Sequence, residues 1–101
     1  MPKPEECQTK QEIRSEIDRL DRQLIALLAE RFAYVRRMAE LKQGPDEALV
    51  QHRVDEVLDK VAREAEERGL DSGLARDLWQ RLIDWNVEYE RRAIGERKRG
   101  E

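Results

Sequence analysis

The sequence predicts an all-α fold, with three helices per chain: one long N-terminal helix and two shorter ones. Three observations carry this. Apolar residues recur at steps of three and four along most of the chain, the spacing of one helix face. The breaks in that pattern fall at Gly44-Pro45 and at Gly69, residues that end helices. No segment reads as a strand, an internal repeat or a low-complexity tract.

Each element follows from local signals. Thr9 followed by Glu12 is a capping box, in which hydroxyl and carboxylate satisfy open backbone N–H groups at a helix start. Nothing interrupts helix one until Gly44-Pro45, so it runs about 33 residues and roughly 50 Å. That is too long for a compact monomer of this size. A second helix from about Glu47 to Arg68 places Val50, Val54, Val57, Val61 and Ala65 on one face and closes at Gly69. A third starts after the cap candidates Asp71 and Ser72. Its main stripe is Leu74, Leu78, Leu82, Trp85 and Tyr89, with Trp79, Ile83, Asn86, Glu90 and Ile94 beside it. Trp79, Trp85 and Tyr89 read as core. The chain is expected to be one domain over 1–101, with an extension at 1–8 and a frayed tail at 98–101.

Composition narrows the function classes. With 43% charged and 39% hydrophobic residues in 101, the chain has little apolar material for a self-sufficient core, and an oligomer is the expected remedy. A net charge of −3 offers no general field for nucleic acid, although Arg91 to Arg99 is locally basic. Cys7 is the single cysteine, so no disulfide can form within the chain. No apolar run approaches the about 20 residues of a membrane span, and the start Met1-Pro2-Lys3-Pro4-Glu5-Glu6 lacks a signal-peptide apolar region. A cytoplasmic protein without membrane or nucleic-acid partners is expected.

Candidate site residues are the exceptions to the apolar pattern. Leu20, Leu24, Leu28, Arg31, Val35, Met38 and Lys42 share one helical face, so two cations are expected to point inward and to require anionic partners. Arg14 shares the face but lies 17 residues from Arg31, about 25 Å along a straight helix. One small ligand cannot touch both in the same chain. In an antiparallel dimer, Arg14 of one chain approaches Arg31 of the other, and the twofold axis makes two equal pockets. Two guanidinium forks suit a dicarboxylate. Lys42 supplies a compact cation for charge developing on an oxygen, Arg53 a further donor, and Asn86 and Glu90, four residues apart, one polar face of helix three.

There is no Ser/His/Asp set, no cluster of metal ligands and no glycine-rich phosphate loop; His52 reads as solvated. The pattern therefore points to electrostatics and positioning, without a covalent intermediate. The competing reading is a non-catalytic dimeric helical interaction module. In it, helix one is a coiled-coil seam and Arg31 pairs with an acid across it to fix register.

The segments Ile13-Arg14-Ser15-Glu16-Ile17-Asp18-Arg19-Leu20-Asp21 and Leu27-Leu28-Ala29-Glu30-Arg31, with Lys42, Arg53 and the region around Glu90, resemble the all-helical chorismate mutase family and its close relative isochorismate pyruvate lyase. The resemblance covers almost the whole chain. It implies an intertwined homodimer of three-helix chains without cofactor, with the residue matching Arg14 donated by the partner subunit. The implied substrate is chorismate or its isomer, each with two carboxylates and an enolpyruvyl ether. By position, Arg14 and Arg31 would hold carboxylates, and Lys42 would contact a carboxylate and the ether oxygen. Arg53 would assist binding, and residue 90 would supply the second donor to that oxygen. The implied activity is chorismate mutase, giving prephenate, with the lyase giving salicylate and pyruvate as the alternative.

Two positions depart from the family pattern. Val54 stands where many mutases have a glutamate that contacts the substrate hydroxyl; with Tyr34-Val35, Ala65-Glu66-Glu67, Gly69-Leu70-Asp71 and Trp85 it resembles the lyase. Glu90 stands where glutamine is common in both enzymes. An ionised carboxylate cannot donate a hydrogen bond and a protonated one can, so activity is expected to depend on that proton.

Overall fold

At the start of the long helix the chain forms its own cap. Thr9 Oγ1 accepts a hydrogen bond from the Glu12 amide at 3.1 Å, and Glu12 Oε2 accepts one from the Gln8 amide at 2.9 Å. Two of the donors that a helix start leaves open are thereby satisfied. In the computed structural model, which describes residues 1–100, this cap opens α1, Lys10–Leu41. Helix α2 spans Gln51–Glu67 and α3 spans Ser72–Arg99, with single 3₁₀ turns at Pro4–Glu6 and Pro45–Glu47. No strand occurs among the described residues, so the all-α class and the order of three helices are as the periodicity predicts.

The connection between α1 and α2 differs from expectation. Helix α2 opens after Val50, and Pro45–Glu47 is a separate turn. The reason lies in Glu47, whose Oε2 accepts from the Gln43 amide at 2.6 Å and the Gly44 amide at 2.8 Å. The carboxylate closes the turn on itself. Val50, left extended as the residue before α2, is exposed and does not join the buried stripe.

Helix α2 ends in a Schellman arrangement: the Leu70 amide donates to the Ala65 carbonyl at 2.8 Å and the Gly69 amide to the Glu66 carbonyl at 3.2 Å. This requires Gly69 at φ 76°, where an L residue meets its own backbone. A methyl group at Gly69 would touch nothing within 4 Å, so Gly69→Ala is expected to cost about 1 kcal/mol from the backbone alone. A lower urea midpoint at unchanged slope is the measurement that checks it. Helix α3 then begins with Asp71, whose Oδ1 accepts from the Leu74 amide at 3.0 Å.

The residues divide into two compact units, Met1–Tyr34 and the part from Val35 onward. In the first, the apolar face of α1 formed by Ile13, Ile17, Leu20, Leu24 and Leu28 is exposed. The Cys7 thiol there is pushed above its ordinary pKa, first by desolvation and then by the charges of Glu12, Glu16 and Glu6. It is a poor thiolate.

In the second unit α2 and the Pro45–Glu47 turn pack on α3. Its buried apolar residues are Ala39, Ala48, Val54, Ala62, Ala65, Ala75, Ile83 and Ile94. The packed face of α3 is not the expected main stripe. Ala75, Ile83, Asn86, Glu90 and Ile94 are buried, whereas Leu74, Leu78 and Trp85 are exposed. Alanines on both helices let the backbones approach closely, which favours the slimmer face of α3 over the leucine stripe. Trp85, expected in the core, is 55% exposed and stacks on Tyr89 with ring centroids 6.1 Å apart. No helix among the described residues is long and apolar enough to cross a membrane.

Candidate active site

Lys42 follows the last residue of α1, with its amide still bonded to the Met38 carbonyl at 3.0 Å. Its side chain turns toward α3, where Nζ donates to Glu90 Oε2 at 2.8 Å and to the Ala48 carbonyl at 3.4 Å. Glu90 is 6% exposed and Asn86, one turn earlier on the same face, is 8% exposed. The anionic partner that Lys42 requires thus comes from α3, 48 residues along the chain. Removing a carboxylate and an ammonium from water costs several kcal/mol each, and only close pairing with further hydrogen bonds offsets it. Lys42 and Glu90 hold one another in place on those terms.

The apolar surroundings of this pair follow from helical spacing. Ile83, Asn86, Glu90 and Ile94 recur at three and four residues, so a polar pair is set between two buried isoleucines on the packed face of α3. A side chain at this position can offer a proton to a ligand only when protonated; ionised, it can only accept. Electrostatic effects are stronger here than in water because solvent is largely excluded.

Arg53 makes no hydrogen bond to this pair. It is exposed on α2 and pairs with Glu56, one turn along its own helix, whose carboxyl is held below the usual range by the hydrogen bonds from Arg53 and Lys60. An exposed pair of this kind contributes little to stability and leaves the guanidinium free to exchange partners. Arg14 is exposed and Arg31 is half-buried, both on α1. Val54, like Ala62 and Ala65 further along α2, is buried in the core of the second unit, where a charged side chain would have no water.

Two contributors escaped sequence reasoning. Glu47 orders the turn after Lys42 through the Gln43 and Gly44 amides, and Arg97 donates to the carbonyls of Ala39, Glu40 and Lys42. Backbone carbonyls carry no sequence signature. The signal for Arg97 was indirect: it lies seven residues beyond Glu90, on the same helical face, and the last turn of α1 lacks a cation of its own.

A lysine at the end of α1 set on a buried acid of α3, in an all-helical chain, is the arrangement that the comparison with known families has to account for. The chain belongs to the chorismate mutase type II family, whose profile matches residues 13–91. It is also 32% identical over 99 residues to the isochorismate pyruvate lyase of Pseudomonas aeruginosa, an alignment that covers 94% of this chain and 98% of the relative.

Proposed function

We propose that the protein rearranges chorismate to prephenate, by positioning and electrostatics, without cofactor or covalent intermediate. The observation that supports this best is the Lys42 ammonium held 2.8 Å from the buried Glu90 carboxyl. In the rearrangement the ether C–O bond breaks while a C–C bond forms, with no atom gained or lost. The enzyme has to hold a folded conformer and favour negative charge on the ether oxygen. Lys42 is one donor to that oxygen. Glu90 is the second when it carries a proton. Arg14 of the partner subunit and Arg31 hold the two carboxylates, while Arg53 and Asn86 assist binding. A homodimer is supported by the exposed apolar face of α1, since that much leucine and isoleucine asks for cover. A cytoplasmic location fits a chain with one cysteine and no membrane-spanning helix among the described residues.

A carboxyl donates a hydrogen bond only when protonated, whereas the amide of Glu90→Gln donates with no proton to gain or lose. E90Q is therefore expected to turn over substrate at least as fast as the parent and with a flatter pH profile. A pH profile of kcat for both proteins checks this; an unchanged profile in E90Q would remove Glu90 from the role.

The second reading is isochorismate pyruvate lyase, favoured by the activity named for the Pseudomonas relative and by apolar Val54. Here the same ether bond breaks, and the enolpyruvyl methylene becomes the methyl group of pyruvate by taking a hydrogen from the ring, which aromatises to salicylate. Both reactions need charge stabilised at the ether oxygen, so the same residues serve either. Turnover of purified protein with chorismate and, separately, with isochorismate decides. Prephenate far above background supports the mutase, and salicylate with little prephenate supports the lyase. Turnover of neither returns the chain to a helical interaction module.

A further inference from the structure

A helix leaves its last four carbonyls without amide partners and gathers partial negative charge there. The last turn of α1, Met38-Ala39-Glu40-Leu41, contains no basic residue to offset this. Arg97 supplies the cation from the last turn of α3. Its Nη1 donates to the Ala39 carbonyl at 3.0 Å and to the Glu40 carbonyl at 2.9 Å, and its Nη2 donates to the carbonyl of Lys42. The planar fork spans three acceptors at once, a geometry that a lysine ammonium cannot reproduce.

Arg97 stands two helical turns beyond Glu90, about 10 Å along α3. Helix α3 therefore holds Lys42 twice, by its side chain through Glu90 and by its main chain through Arg97. Glu47 adds a third tie by accepting from the Gln43 and Gly44 amides directly after it. We propose that Arg97 is a positioning residue for Lys42, fixing the backbone from which the ammonium reaches the reacting oxygen. This rests on the reading of Lys42 as the cation at the breaking ether bond. Arg97 lies outside residues 13–91, so the family match assigns it no role. A guanidinium hydrogen-bonded to these three carbonyls reaches the reaction through the backbone that carries Lys42. Its loss should displace the ammonium without removing it, and a displacement of about 1 Å at a reacting group costs on the order of 10²-fold in rate.

The test compares the full-length parent with Arg97→Gln and Arg97→Lys. It measures kcat and KM with whichever of chorismate or isochorismate the parent turns over, and hydrogen–deuterium exchange across residues 39–48 without substrate. Circular dichroism reports helix content. The expected result for R97Q is faster exchange at the amides of Lys42, Gln43 and Gly44, and kcat lowered about 10- to 100-fold with KM within about threefold of the parent. R97K is expected to recover part of kcat, since it keeps the charge and loses the fork. If R97Q loses its helical signal, R97K carries the test, with faster exchange and an intermediate kcat expected. Parental exchange in a folded variant overturns the clamp. Faster exchange with parental kcat, or a loss confined to KM, overturns the positioning role. A parent that turns over neither substrate overturns the functional reading and the positioning role with it, and that failure is distinguishable because the exchange measurement still registers the clamp.

Discussion

Replacing Lys42 by alanine is expected to lower kcat by about 10²–10³-fold, the loss that follows removal of one preorganised donor to a developing oxyanion. The same change strips Glu90 of the cation 2.8 Å away and leaves a carboxyl that is 6% exposed. An uncompensated buried charge costs about 3–5 kcal/mol, so K42A is also expected to unfold at lower urea. These effects separate in the double variant. Glu90→Gln in the K42A background removes the orphaned charge, and stability is expected to return toward that of E90Q alone while turnover stays lost. Chemical unfolding and single-turnover kinetics on the parent, both single variants and the double variant complete the cycle. If the double variant regained turnover along with stability, Lys42 would be a structural ion-pair partner only.

Mixing two inactive variants is expected to restore activity. Under the proposed dimer, each pocket takes Arg31 from one chain and Arg14 from the other. Arg14→Ala and Arg31→Ala each spoil both pockets of their own homodimer, by about 10- to 100-fold if each removes a charge-assisted pair to a substrate carboxylate. In a heterodimer of the two, one pocket has both arginines and the other has neither. Random pairing makes half the dimers heterodimers, so an equimolar mixture unfolded and refolded together should recover about a quarter of the parental rate. Recovery on co-refolding, with none on simple mixing before subunits exchange, would establish the shared pocket. Absence of recovery in chains that still dimerise would place Arg14 outside the site.

Residues legible from sequence share a property: their partners are close along the chain. The cap at Thr9, the Gly69 turn and the Asp71 cap all act through hydrogen bonds spanning three to five residues. Steric and hydrogen-bonding rules for such short spans depend on the residues themselves. Lys42 and Glu90 were legible for a different reason, as charged groups interrupting apolar stripes. Sequence could mark each as needing a partner. It could not join them.

The sequence by itself determined the helix count, the ends of α1 and α2, the start of α3 and the residues whose charge conflicts with burial. Only the tertiary structure decided which face of α3 is buried, because the expected leucine stripe and the slimmer Ile83–Ile94 face have similar periodicity and the alanines of α2 select between them. It also decided that Lys42 meets Glu90 and that Arg97 grips the carbonyls at the end of α1. Those contacts cross 48 to 58 residues, and all three acceptors on Arg97 are backbone carbonyls. A backbone carbonyl is the same at every position, so its partner is set by where packing places the helix end.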